Sequence, residues 1–357
     1  MCKIKFKDMN NMKKRKLYEC MWGGEEFQFP AYKTEYRGAY SNNSYTFFDK
    51  KSIADENICS ELAALFGIQD WELFKKKFDR SISGSGRELK NIARLHSSSL
   101  CALLFFYNLS VDNTFQISIG EKEYSFYNSD FEYQNPVIKN RHPSNIDIVL
   151  TGEEIGSGKE AVLFLESKFS EYYEGTGRQL KINSAYLNDP KGKAIYNEAS
   201  LKKIGLEMVP PDGNENFLLR SKETCYLAGI KQMISHYIGV RNLCENPDEG
   251  KGEIANKVKK GAKVLLGEIL FEDRIGQLPI GKGIGCFKSY KDKYHKLAAV
   301  LNEQLQKDRI SEKITVLPDV LYYSIFQDNS FVLERIREFY FASGKKENHE
   351  GIPAKKC

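Results

Sequence analysis

Two short apolar runs carry charges where a buried strand ordinarily carries none. They are Asn145-Ile146-Asp147-Ile148-Val149-Leu150 and Ala161-Val162-Leu163-Phe164-Leu165-Glu166-Ser167-Lys168, both rich in aliphatic, mostly β-favouring residues. The segment between them, Thr151 to Glu160, holds three glycines and three acids. That reads as strand, loop, strand, a β-hairpin. Side chains alternate faces along a strand, so Glu166 and Lys168 point the same way. If Asp147 pairs opposite Glu166, two carboxylates and one ammonium meet on one face. The aliphatic neighbours make both strands central, where a charge is costly without a purpose.

Two facing acids repel, and a divalent cation between them relieves the repulsion. A lysine beside that cation supplies a fixed positive charge or a proton-transfer group. Such a set has what phosphodiester hydrolysis needs. Hard oxygen donors favour Mg2+, with Mn2+ as substitute, over zinc. A Glu and a Lys two apart on an exposed strand are also common solubility dressing, so the apolar context carries the argument.

At 357 residues the chain can bury a large core as one big domain or two modest ones. The longest uncharged apolar stretch, Leu100 to Tyr107, is too short to span a bilayer. No apolar segment follows the basic Met1-Cys2-Lys3-Ile4-Lys5-Phe6-Lys7, so the expectation is a cytosolic protein with no membrane partner. A net charge of +5 is mild. Its local clusters, Lys13-Lys14-Arg15-Lys16, Lys75-Lys76-Lys77 and Lys257 to Lys263, either track a phosphate backbone or are solvated surface. The eight cysteines show no CxxC spacing and read as reduced, mostly buried thiols, not as a disulfide framework or a zinc site.

Along the chain, residues 1–50 read as an N-terminal arm or small subregion, with tyrosines that either stack on bases or pack locally. Residues 51–340 read as one domain, and 341–357 as a disordered tail. Helical spacing covers Ile58 to Phe66 and Trp71 to Phe78. A core helix is expected from Arg87-Glu88-Leu89 through Tyr107. Consecutive strands follow over 113–168, and residues 169–220 are punctuated by Gly, Pro and Asn. A clear helix spans 223–244, a buried strand Ala262 to Phe271, and a helix 286–306. Strand then helix is expected from Ile314 to Phe326. Gly152 to Lys159 and Gly281 to Gly285 are near misses of phosphate-binding loops and read as turns.

The chain resembles the PD-(D/E)-x-K nuclease superfamily, the fold of many type II restriction endonucleases, and within it uncharacterised bacterial restriction-endonuclease-like proteins. The blocks that carry the likeness are Gly86-Arg87-Glu88-Leu89, Leu95-His96-Ser97-Ser98-Ser99-Leu100, Phe131-Glu132-Tyr133-Gln134, Asn145-Ile146-Asp147, Glu166-Ser167-Lys168-Phe169 and Gln232-Met233-Ile234-Ser235-His236-Tyr237-Ile238-Gly239. They cover about residues 55 to 330. Pro143 stands four residues before Asp147, so there is no literal Pro-Asp pair.

The resemblance implies an α/β, restriction-endonuclease-like core, a mixed β-sheet flanked by helices in the order αβββαβ. It implies catalytic Asp147, Glu166 and Lys168, with Asp147, Glu166 and Glu88 on the metal. Gln232 and His236, four apart on one helical face, would support the site or the DNA, with His236 where some members carry tyrosine. Glu88 also suits a plain helix start, and Gln232 with His236 a plain exposed helix face. The implied partner is nucleic acid, double-stranded DNA first. Cutting both strands takes two sites or two encounters, which makes a homodimer one expectation. The alternatives are a catalytically silent nucleic-acid-binding module of the same fold, or a nuclease acting in repair or on RNA.

Overall fold

The computed structural model describes residues 57–84, 89, 92–93, 97–135, 137, 143–169, 171, 177–209, 216–250, 252–271 and 282–341, without the side chains of 282–286. Glu88, the 1–50 region and everything after Phe341 fall outside these residues.

Helix α1 (Ile58–Phe66) buries Ile58, Leu62 and Phe66 and stops at Gly67, whose left-handed backbone turns its N–H back to Ala63 and Ala64. Helix α2 (Trp71–Ser81) is capped by Asp70, which accepts from Leu73 N, and it buries Phe74 and Phe78. Helix α3 (Ser98–Phe106) is apolar on every side and buried from Leu100 to Phe106, as a helix sandwiched within a core must be. The expected helix from Arg87 to Tyr107 is therefore corrected. Ser97 accepts from Leu100 N in an extended conformation, and α3 starts afresh there.

Four antiparallel strands follow: β1 (Phe115–Ile119), β2 (Lys122–Asn135), β3 (Ser144–Glu154) and β4 (Glu160–Lys168). The hairpin is as expected, with its loop shortened to 155–159 because the ladder continues to Glu153 opposite Glu160. The described part of the stretch punctuated by Gly, Pro and Asn, residues 177–209 and 216–221, is a small insert. It contains β5 (Gln179–Asn183), the short helices α4 (Ala185–Asn188), α5 (Pro190–Ile195) and α6 (Glu198–Ile204), then β6 (Leu206–Val209) and β7 (Asn216–Ser221). Its three strands form their own antiparallel sheet in the order β5-β7-β6.

Helix α7 (Leu227–Glu245) and α8 (Gly252–Lys259) lead into β8 (Lys263–Leu270), which runs parallel to β4. Helix α9 (Lys282–Lys307) absorbs Gly283 to Gly285, so the expected turn there is the first turn of a helix instead. Strands β9 (Ile314–Val316) and β10 (Leu321–Tyr322) share the outer edge of β8, and α10 (Glu334–Phe341) closes the described chain.

The result is an α/β fold with a mixed seven-stranded sheet, β1-β2-β3-β4-β8-β10, with β9 beside β8. The order helix, three strands, helix, strand (α3, β2 to β4, α7, β8) runs through its centre. Eight of the nine β4 residues and every residue of β8 are buried, which explains their near-continuous apolar character. Cys59, Cys101, Cys225 and Cys244 are buried free thiols, as expected. Among the described residues, no helix is long and apolar enough to cross a membrane.

Gly152 fits a close approach. The register of β2 against β3 shifts between Phe126 and Asn128, and a Cβ on Gly152 would stand 1.9 Å from the Ser125 carbonyl oxygen. That neighbour is backbone and cannot swing aside. Gly152→Ala is expected to lower stability by about 2 kcal/mol or more, read as a lower urea midpoint at unchanged m-value.

Candidate active site

The β3·β4 ladder ends with Ile148 opposite Leu165, and one step further the same register sets Asp147 opposite Glu166. There the backbone changes partner. Ser167 N donates to the Asp147 carboxylate (Oδ2) at 2.8 Å, so a side chain takes the place of a ladder carbonyl. Asp147, Glu166 and Lys168 share one face. Ser167 faces the other way and hydrogen-bonds Ser98 O at 3.1 Å and the Tyr323 hydroxyl at 2.8 Å, beneath α3.

Helix α7 packs over the acidic face and delivers the expected polar pair. Gln232 Nε2 donates to Glu166 Oε1 at 2.9 Å, and His236 Nε2 meets Glu166 Oε2 at 2.8 Å. Lys168 Nζ donates to Glu166 Oε1 at 2.5 Å. Five of the six expected site residues are thus gathered. Glu88 lies outside the described residues.

His236 is 1% exposed and Glu166 2%, so this is a built polar core and not a surface decoration. A carboxylate only accepts, so Nε2 of His236 carries the hydrogen. In the neutral ring Nδ1 then accepts the Ser144 hydroxyl, 2.7 Å away. Ser144, His236 and Glu166 stand in the order of a nucleophile, base and acid relay. Lys168 already neutralises Glu166, however, and leaves it little charge to lend an imidazolium. The histidine is better placed to hold Glu166 still.

The charges are unbalanced. Burial would raise the Glu166 carboxyl, but the Lys168 ammonium and the His236 contacts outweigh it and hold Glu166 below the usual carboxylate range. Burial would likewise lower Lys168, and the Glu166 charge overrides it, keeping the ammonium protonated well beyond its usual limit. Asp147 goes the other way: burial first, then the Glu166 charge, raise its carboxyl well above normal. Its Oδ1 has no hydrogen-bond partner among the described residues.

Two further acids extend the row. Glu268 on β8 is the register partner of Glu166, and Glu132 on β2 lies at the position facing Asp147, bracketed by the Phe131↔Ile148 and Tyr133↔Ile146 pairs. Glu132 holds a left-handed backbone (φ 51°) and accepts from Asn145 Nδ2 at 3.3 Å. Sequence reasoning missed Ser144, Glu132 and Glu268. The signal for Glu268 was available: a lone acid inside the apolar run Val264 to Phe271, as with Asp147 and Glu166.

Asp147 and Glu166 are hard oxygen donors of the kind a divalent cation takes, but Lys168, Gln232 and His236 already occupy both Glu166 oxygens, and among the described residues Oδ1 of Asp147 is the one carboxylate oxygen of the pair left unengaged. Among the described residues, no group of three or more His, Cys, Asp or Glu is gathered to hold a metal ion.

The basic clusters are largely spent on the protein itself. Lys75 pairs with Asp79, and Lys77 is buried against Asn128 and the Ser129 carbonyl. Lys257 pairs with Glu160 and Lys259 with Asp248, while Lys263 donates to the Ser311 and Glu312 carbonyls. Lys13 to Lys16 lie outside the described residues.

Compared with protein-family models, with curated proteins and with solved structures, the chain gives no match.

Burial, only partly offset by the Tyr290 hydrogen bond and the Lys168 charge, raises Glu268 to about 8. The native state then keeps a proton that the unfolded chain releases near the ordinary carboxylate value, so this group costs stability as pH rises from about 4.5 to about 8. Glu268→Gln removes that cost. Between about pH 5 and about pH 9, urea unfolding is expected to show the variant gaining on wild type by a few kcal/mol.

Proposed function

We propose that the chain is a divalent-cation-dependent nuclease of the PD-(D/E)-x-K type, with a restriction-endonuclease-like core, that hydrolyses phosphodiester bonds in DNA. One observation carries the reading. The acids and the lysine picked out by sequence pattern share one face at the ends of adjacent strands, and the two α7 side chains implied by the resemblance both bond Glu166. The element order α3, β2 to β4, α7, β8 supports the same core.

Asp147 and Glu166 would hold the cation, which when bound supplies Lewis-acid polarisation of the phosphoryl group and lowers the pKa of water. Ser167 N aims the Asp147 carboxylate, while Gln232 and His236 hold that of Glu166. Lys168 is a poor general base as it stands, because the Glu166 charge secures its proton. Its ammonium is suited to orient a nucleophilic water and to stabilise charge developing on phosphate. Duplex DNA as substrate and a two-fold dimer to cut both strands belong to the same proposal.

A second reading has a specific observation behind it. Glu166 and Lys168 already neutralise each other, which a silent nucleic-acid-binding module would tolerate. Plasmid cleavage separates the two. Wild type is expected to cut with Mg2+ or Mn2+ and not in chelator. Asp147→Ala and Lys168→Ala should each lose about a thousandfold in rate or more while still binding DNA. Equal cutting by all three proteins refutes the assignment, and binding without cutting by wild type selects the silent module. His236→Ala should cut about 10- to 100-fold more slowly, or need correspondingly more Mg2+, since Glu166 loses one of its three anchors.

A further inference from the structure

Tyr226 stands directly before α7, the helix that carries Gln232 and His236. It is 9% exposed, and its hydroxyl has no hydrogen-bond partner among the described residues. Among the described residues, the tyrosine oxygens that are buried with no partner are those of Tyr196 and Tyr340, sealed in the core at 1% and 0% exposure. The Tyr226 oxygen is not one of them, so it stays open to a ligand that accepts its hydrogen.

The Tyr226 ring is held in place. It packs edge-on to Tyr290 at 5.5 Å, and Tyr290 donates at 2.5 Å to Glu268, the register partner of Glu166. Gly229 leaves room for both rings. A Cβ there would come within 2.7 Å of the Tyr226 ring and 2.5 Å of the Tyr290 hydroxyl. Tyr226 and Lys168 feel one another electrostatically, with Lys168 foremost among the charges acting on the phenol. Burial raises the phenol, so it keeps its hydrogen as a donor.

An ammonium beside a neutral hydroxyl donor complements an anion that offers several oxygens. Building on the nuclease reading, we infer that Tyr226 is a substrate-contacting residue whose hydroxyl donates to a non-bridging oxygen of the phosphodiester at Lys168.

Tyr226→Phe removes one oxygen and no hydrogen bond within the described protein. The full-length variant should therefore melt within about 1 °C of wild type. Its affinity for a fluorescent duplex oligonucleotide, measured by anisotropy with Ca2+ in place of Mg2+, should fall about tenfold or more. Cleavage with Mg2+ should fall with it. If Tyr226→Phe binds and cuts as wild type does while Lys168→Ala loses cutting, the phosphate contact is overturned and the nuclease reading stands. If wild type fails to cut but Tyr226→Phe still loses affinity, the nuclease reading fails and the contact stands. A loss of affinity with a fall in Tm of more than about 3 °C assigns Tyr226 a structural role and overturns the inference. Absence of any duplex binding by wild type overturns both.

Discussion

Bringing a carboxylate out of water costs several kcal/mol unless partners replace the lost solvent. Glu166 is that case, a charge at 2% exposure on the middle strand of the sheet. An ammonium, an amide and an imidazole meet its two oxygens. Each donor comes from a position the fold must fix: Lys168 two residues along the same strand, Gln232 and His236 one turn apart on α7. The orientation of α7 over β4 and the charge of Glu166 therefore depend on each other. Removing any one donor leaves the others, but moving the helix removes two together.

The hairpin was legible because aliphatic runs with an acidic, glycine-rich connection have few other folds open to them, and alternation alone put Glu166 and Lys168 on one side. Spacing of four placed Gln232 and His236 on one helical face, and the structure turns that face toward Glu166. What stayed hidden depends on register or on capping. Glu268 joins the row only once β8 is known to lie parallel to β4 in that alignment. Ser144 matters because His236 reaches it across the sheet end. Ser97 begins α3 by a side-chain bond that a run of serines does not announce. The insert defeated periodicity because its strands are four to six residues long and its helices short.

Across β2, β3, β4 and β8 a single row of acids crosses the sheet, with one lysine beside it. The environment sorts them. Glu166 is kept ionised by its donors, Asp147 and Glu268 are pushed toward neutrality, and Glu132 sits in a strained backbone beside Asp147. Such a row does not help the sheet to fold, because buried like charges repel. Under the nuclease proposal, that local conflict between folding and chemistry has a use.

The outer border of β8 has its own consequence. Val264 to Leu266 are covered by β9 and Ile269 to Leu270 by β10, two scraps of strand contributed after the long helix α9. Stripped of that hem, β8 would offer an unshielded aliphatic ribbon of amides and carbonyls, and a second molecule could zip onto it. The C-terminal segments thus act as an anti-polymerisation guard for the strand on which Glu268 rides.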